Sequence, residues 1–218
     1  MIQFSQCFKV SRTVALLFLA MTVVYSHAQV TLEVQPGLTI PDSKLPWALD
    51  SYQGTPQLVP IHRADLSANQ HAASIMLGEM KMSIELQGPT SPIQLHGKTP
   101  AIYVYIDPEQ DKQGIGSNFG GWSFSIVRVL QQKKKRVVET LSNSAFHGPK
   151  SSSNQVDCDI APVSNHWYHI QPKAPMQEGE YALLGQLHRE REPAYAVWDF
   201  GINLSAPNEA DVVVAAAH

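Results

Sequence analysis

Short apolar segments alternate with turn residues along most of the chain, and no long stretch has the period of an amphipathic helix. The clearest segment is 80–87 (MKMSIELQ), in which apolar and polar residues alternate strictly. This alternation is typical of a β-strand with one face on a core and the other in solvent. We therefore expect one face to be buried, formed by Met80, Met82, Ile84 and Leu86.

Segment 101–107 differs because both of its faces are apolar or aromatic. A strand of this kind is expected at the centre of a fold, where both faces are covered. Two hairpins are predicted further along the chain, one from 122–130 and 136–141 and the other from 179–187 and 194–204. Weaker strands are predicted at 30–34, 47–51, 57–62, 93–96, 155–160 and 167–171.

These segments amount to about ten to eleven short strands, whose spacing favours an all-β fold, specifically an antiparallel β-sandwich. Only residues 65–74 favour a helical turn. The chain also contains 15 prolines, which suit strand edges and loops better than long helices.

The first 28 residues have the three parts of a secretory signal peptide. Lys9 and Arg12 form a basic start, residues 14–25 are almost entirely apolar, and residues 26–28 place small side chains at a cleavage site. The alternative is a retained membrane anchor, but the apolar run is shorter than the roughly 20 residues that a spanning helix needs. The sequence therefore predicts a processed protein without a transmembrane segment, either secreted or periplasmic.

Processing would leave a single domain at 29–206, followed by a C-terminal tail at 207–218 that has few anchors and is predicted to be flexible. It would also leave Cys158 as the only cysteine, so no internal disulfide could form. The formal net charge of the whole chain is −3, which disfavours nucleic acid as a partner, because nucleic-acid binders usually carry a basic face.

Three short segments resemble parts of uncharacterised secreted bacterial β-sandwich proteins. They are 100–105 (PAIYVY), 179–183 (GEYAL) and 197–201 (VWDFG), the last two as the strands of a C-terminal hairpin. The resemblance implies a sandwich fold and export. It implies no activity.

Motifs for nucleophilic or acid–base catalysis are weak. Cys158 lies between two aspartates, which disfavour the thiolate that a nucleophile needs. The acidic pairs Glu178/Glu180 and Glu190/Glu192 are neighbours on turns, whereas a glycosidase needs carboxyls on opposite sides of a sugar. The sequence therefore favours a protein that is not an enzyme.

Calcium is the one metal that a loop pattern suggests. Asp107, Glu109 and Asp111 place carboxylates at every second residue after a strand, an arrangement that lets a turning chain surround Ca²⁺ with oxygen ligands. Lys112 stands where a calcium loop would have glycine, so an ordinary polar loop is the alternative. The pairs His166/His169 and Met80/Met82 could ligate zinc and copper, but strand geometry and an apolar stripe favour ordinary packing.

Aromatic side chains near predicted strand ends suggest carbohydrate as a ligand, because exposed aromatic faces stack on sugar rings. The candidates are Trp47, Trp167 and Tyr168, and Tyr52 and Trp122 also lie at or near predicted strand ends. The alternative is core packing, especially for Trp122, which is in step with Phe124 and Ile126. The basic run 133–136 (KKKR) could instead contact an anionic surface or serve as a solvated turn.

Taken together, these features predict an exported, non-catalytic binding or structural module of the cell envelope or extracellular space, with an envelope glycan or protein as its partner. The alternative is a secreted hydrolase of carbohydrate or peptide whose site residues are dispersed over several strands. A concave pocket with converging ionisable groups would favour the hydrolase, and an aromatic surface would favour the module.

Overall fold

The fold is all-β, as the sequence predicts. A computed structural model describes residues 31–41, 43–70, 79–107, 122–144, 148–152, 154–164, 166–187 and 194–215. These residues form strands and turns and contain no helix, so none of them belongs to a helix that could cross a membrane. The described strands are β1 (Leu32–Gln35), β2 (Leu38–Ile40), β3 (Trp47–Tyr52), β4 (Thr55–Pro60), β5 (Leu66–Gln70), β6 (Glu79–Gln87), β7 (Gln94–Leu95), β8 (Ala101–Tyr105), β9 (Trp122–Arg128), β10 (Leu130–Gln131), β11 (Lys135–Ser144), β12 (Gly148–Ser152), β13 (Asn154–Val156), β14 (Cys158–Ser164), β15 (Trp167–Pro172), β16 (Gly179–Leu187), β17 (Ala194–Ile202) and β18 (Val213–Val214).

The strands form four sheets. A hairpin sheet pairs β1 with β2, and a six-stranded sheet has the order β14-β15-β8-β3-β4-β18. The middle sheet has the order β13-β9-β16-β17-β7, and the outer sheet has the order β10-β11-β6-β5, with β12 also paired to β11. Neighbouring strands are antiparallel except β17 and β7, which run parallel.

The middle sheet is buried on both faces, because its residues alternate between two apolar clusters. Residues on one face pack against the six-stranded sheet, and they include Phe124, Ile126, Leu183, Phe200 and Ile202. Residues on the other face pack against Leu86 and Val138 of the outer sheet, and they include Val127, Ala182 and Val197. Successive side chains of a strand point to opposite faces, so one strand can serve both cores.

The hairpin sheet covers the remaining face of the six-stranded sheet. Leu38 and Ile40 pack there on Leu58, Tyr103 and other residues of that sheet. Strand β8 is consequently covered on both sides, which confirms the prediction that segment 101–107 contains a central strand.

Strand β6 has the predicted buried face at Leu86, but the predicted solvent face is only partly exposed. Leu86 is only 1% exposed, while Ile84 and Met82 are half-buried, and nothing is described of the Met80 side chain. On the opposite face Ser83 and Glu85 are buried, whereas Gln87 is exposed. A buried carboxylate needs a partner, and Lys135 of the neighbouring strand β11 donates a hydrogen bond to the Glu85 carboxylate at 2.6 Å.

Two local predictions are corrected by long-range pairing. Segment 65–74 was expected to form a helical turn, but its described part is strand β5, which pairs with β6. The hairpin predicted from 122–130 and 136–141 forms only at its tip, where Leu130 of β10 pairs with Val137 of β11. The longer strand β9 joins the middle sheet, whereas β11 joins the outer sheet. The hairpin of β16 and β17 is confirmed along its whole length.

The C-terminal segment has anchors that its composition does not indicate. Val213 and Val214 pair with β4 as strand β18. The Asn208 side-chain oxygen accepts a hydrogen bond from the buried Gln57 amide at 2.8 Å, and Glu209 accepts one from the Gln94 backbone at 2.8 Å. Residues 216–218 lie outside the described residues, as does the predicted signal peptide.

Replacement of Asn208 by alanine tests this anchoring. We expect N208A to lose about 1 kcal/mol of stability, because the Gln57 amide is buried and loses its shorter hydrogen bond. The control is D211A, a change at an exposed position of the same segment, which should stay within about 0.5 kcal/mol. Urea melts of both variants measure the difference, and equal small effects would contradict an anchored segment.

Candidate ligand-binding site

The aromatic residues singled out by the sequence lie mostly in the core. Trp47 is 6% exposed and Trp167 is 1% exposed, and both pack beneath the hairpin sheet. Tyr168 is half-buried on β15 and packs against the core between the six-stranded and middle sheets. Trp47 and Trp167 thus lie on one face of the six-stranded sheet and Tyr168 on the other, and a stacking role for them stays a prediction.

Only part of the proposed calcium loop lies in the described residues. Asp107 is described, whereas Glu109 and Asp111 lie outside the described ranges. The Asp107 carboxylate accepts a hydrogen bond from the Lys44 ammonium at 2.6 Å. Among the described residues, no group of three or more histidine, cysteine, aspartate or glutamate side chains could hold a metal ion. The calcium site also stays a prediction.

A different set of aromatic side chains borders an open hollow of about 210 Å³ between the six-stranded and middle sheets. Tyr105, at the end of β8, lies on one wall. The opposite wall is formed by Trp122 and Phe124 of β9 and by Trp198 of β17. We call this feature the aromatic hollow.

A glycine sets the position of three of these rings. Gly185 of β16 lies between Phe124 on β9 and Ala196 on β17. A Cβ atom at Gly185 would lie 3.0 Å from Trp198, 3.1 Å from Phe124 and 3.2 Å from Trp122. The rings therefore lie against the bare backbone of the central strand, and Trp122 stacks on Phe124 with ring centres 5.8 Å apart and planes 7° apart.

Charged side chains stand at the border of the aromatic hollow. Lys44 and Asp107 form an ion pair in which the two side chains are 65% and 26% exposed. The Lys44 ammonium also lies 5.9 Å from the centre of the Tyr105 ring. Arg63 is exposed at another part of the border, where its backbone pairs with that of Trp198. The hollow thus combines apolar ring surfaces with polar groups along its border.

A second group of charges is buried between the middle and outer sheets. The Arg136 guanidinium of β11 contacts the carboxylates of Asp199 at 2.6 Å and Glu180 at 3.2 Å, and the three side chains are at most 8% exposed. It also donates hydrogen bonds to the backbone oxygens of Gln87 and Gly88. Glu180 and Asp199 come from the GEYAL and DFG segments, so these short motifs supply the partners of a buried cation.

The electrostatics of Glu180 differ from those of an exposed glutamate. Burial raises the pKa of Glu180 above its ordinary value of 4.5, and the charge of Asp199 acts in the same direction. The Ser91 backbone N–H, the Gln94 amide and Arg136 act in the opposite direction. These partners hold the carboxylate inside the fold, so Glu180 contributes to the junction between the sheets.

The Asp50–His96 pair resembles part of a catalytic triad but is already engaged. Asp50 lies 2.8 Å from Nδ1 of His96, and the other ring nitrogen lies 3.1 Å from the carbonyl oxygen of Ala206. The same carboxylate accepts hydrogen bonds from the backbone N–H groups of His96 and Gly97. Because the second nitrogen of His96 faces a backbone carbonyl and not a hydroxyl or thiol, the pair holds the C-terminal segment in place.

The thiol of Cys158 is poorly suited to nucleophilic chemistry. Burial raises its pKa to about 11, and the charges of Asp157 and Asp159 add to the effect. The flanking aspartates predict a raised pKa, and burial is the larger cause of it. His166 is exposed at a turn, and burial lowers the pKa of His169, which lies beside the Tyr103 ring.

The basic run 133–136 is divided between two environments. Lys133 and Lys134 are exposed at the turn between β10 and β11, whereas Arg136 is buried in the contacts described above. Lys135 forms an ion pair with Glu85. The run therefore offers a smaller cationic surface than four consecutive basic residues suggest.

The chain matches no protein-family model, no curated protein and no solved structure. The resemblance to secreted bacterial β-sandwich proteins therefore rests on its short segments alone.

Replacement of Gly185 by alanine tests the packing of the aromatic hollow. Overpacking costs about 1–3 kcal/mol, which exceeds the roughly 0.5–1 kcal/mol gained by removing a glycine from a strand. We therefore expect a net loss of stability in urea melts, together with a change in tryptophan fluorescence. S125A, on the opposite face of β9, is the control. A more stable G185A protein with unchanged fluorescence would show that the rings do not pack on this glycine.

The pH dependence of stability tests the environment of Glu180. Because its folded-state pKa is raised, the folded protein binds the proton more tightly than the unfolded chain. Its contribution to stability is therefore present below the ordinary pKa of 4.5 and is lost as the pH rises through the folded-state value. E180Q should remove this dependence of stability on pH. E178Q, at an exposed neighbouring position, is the matched control. The free energy of unfolding, measured by urea melts, is compared as a function of pH. If it changes equally with pH above 4.5 in wild type and E180Q, the raised pKa of Glu180 is contradicted.

Proposed function

We propose that this protein is an exported, non-catalytic β-sandwich module that binds carbohydrate in the aromatic hollow. The observation that carries the proposal is the position of Tyr105, Trp122 and Trp198 around one open hollow. Export is supported by the pattern of the first 28 residues. An envelope or extracellular glycan is the partner that suits both features.

The chemistry of the hollow fits a sugar better than a purely apolar ligand. The C–H faces of a sugar ring are apolar and stack on aromatic rings, while its hydroxyl groups need hydrogen-bond partners. Trp122 and Trp198 supply ring surface, and the Lys44–Asp107 pair and Arg63 supply polar atoms at the border. A ligand with apolar faces and a polar edge would satisfy both parts.

The arrangement of charges favours binding over hydrolysis. In the described part of the chain, the two buried carboxylates that approach one another are Glu180 and Asp199, and both contact Arg136. Neither of them lines the aromatic hollow. A glycosidase needs two carboxyls that flank the bond to be cleaved. A secreted hydrolase with a dispersed site is therefore the weaker hypothesis.

Tryptophan substitution combined with an oligosaccharide panel tests the proposal. We expect wild-type protein to bind at least one panel member, and W122A and W198A to bind it at least about tenfold more weakly, since about 1.4 kcal/mol of stacking corresponds to that factor. The control is Y195A, because Tyr195 is an exposed aromatic residue of β17 that does not line the hollow. Calorimetry measures affinity, and urea melts verify that each variant is folded.

Two outcomes would contradict the proposal. One is that no neutral or charged oligosaccharide binds the folded wild-type protein. The other is that W122A and W198A bind as tightly as Y195A. Release of reducing sugar from the panel during incubation would instead favour the hydrolase.

A further inference from the structure

We propose that the aromatic hollow selects acidic sugars, and that Arg63 binds the carboxylate of a uronic acid whose ring stacks on the neighbouring aromatic side chains. This inference rests on the proposed carbohydrate-binding function. It adds the chemical class of the ligand and the residue that determines specificity.

The backbone holds Arg63 beside the aromatic wall. Arg63 pairs with Trp198 in an isolated antiparallel bridge, and the next residue, Ala64, donates a backbone hydrogen bond to Val197 at 2.8 Å. Two successive residues are thus tied to β17. Residues that face each other across an antiparallel bridge have their side chains on the same face. Arg63 therefore shares the face of Trp198 that borders the hollow, although Arg63 lies outside the described strands.

The Arg63 guanidinium has donors left for a ligand. In the described residues it makes one hydrogen bond, from Nη2 to the Tyr195 carbonyl oxygen at 3.3 Å, and it pairs with no carboxylate there. A guanidinium carries five N–H donors in a planar fork. This fork matches the two oxygens of a carboxylate, which explains why arginine binds planar acids in a bidentate manner.

The other charges at the border would orient a bound acidic sugar. The positive charge of Lys44 is paired with Asp107 at 2.6 Å, so Arg63 is the cation at this border that a described carboxylate does not neutralise. Asp107 would repel an acidic group placed on its own side of the hollow. A bound uronic acid would therefore turn its carboxylate toward Arg63 and its hydroxyl groups toward the Lys44–Asp107 pair.

Local contacts, not the overall charge, must provide this selectivity. The chain has a formal net charge of −3, and this charge repels polyanions in general. Preference for an acidic sugar would thus depend on a particular residue. This distinguishes the proposal from non-specific attraction to an anionic polymer, which would also fall steeply with salt.

The experiment compares an oligogalacturonide with its methyl ester, which has the same rings but no charge. Calorimetry of the purified protein is expected to give at least about tenfold tighter binding of the acid, equivalent to about 1.4 kcal/mol. R63Q should abolish this preference while still binding the ester, and R63K should restore part of it because lysine keeps the charge without the fork. K134Q removes a charge at an exposed position away from the hollow and should retain the full preference.

The outcomes separate this inference from the proposed function. Equal binding of acid and ester by wild type, or an unchanged preference in R63Q, overturns acid selectivity and leaves carbohydrate binding standing. Equally tight, Arg63-dependent binding of a sulfated oligosaccharide overturns recognition of the carboxylate shape. If neither acid, ester nor any neutral sugar binds, both proposals fail. Unchanged urea melts verify that the variants are folded, since Arg63 is an exposed residue.

Discussion

The arrangement of the sheets depends on the two-sided burial of the middle sheet. Its strands contribute alternate residues to two cores, one shared with the six-stranded sheet and one shared with the outer sheet. Arg136 reinforces the second junction, because a buried guanidinium requires partners and finds them in Glu180, Asp199 and two backbone oxygens. Apolar contact alone would tolerate several relative positions of the sheets. Hydrogen bonds depend on distance and angle, so these contacts constrain the position of the outer sheet more closely than apolar contact does.

This central position also explains the candidate site. Strands β9, β16 and β17 lie side by side in the middle sheet, so residues distant in sequence, such as Trp122 and Trp198, flank the same glycine. The absence of a side chain at Gly185 lets the rings lie close to the backbone. At this end of the sheet, Tyr105 and its neighbours on the six-stranded sheet leave an open hollow rather than a closed core.

The charged groups buried in the fold differ from those at the border of the aromatic hollow in whether their hydrogen-bonding atoms are already used. The Asp50–His96 pair and the Arg136 contacts are satisfied inside the fold, where they hold the C-terminal segment and join two sheets. Such groups contribute little to recognition, because their donors and acceptors are already used. The Lys44–Asp107 pair and Arg63 stand at the border of the aromatic hollow instead. This distribution is the physical basis for proposing a binding module with an acidic sugar as its ligand.

The sequence by itself determined the all-β class, the central strand β8 and the hairpin of β16 and β17, because alternation and turn residues act over a few neighbouring positions. It also indicated that the pKa of the Cys158 thiol is raised. Only the tertiary structure decided that β9 and β11 belong to different sheets, that Glu85 is buried, and that Trp47 and Trp167 pack in a core while Trp122 and Trp198 border a hollow. Local patterns cannot distinguish a core tryptophan from a ligand-binding one, since both lie on apolar strand faces. The difference arises from which sheet covers that face, and this depends on contacts between residues far apart in the chain.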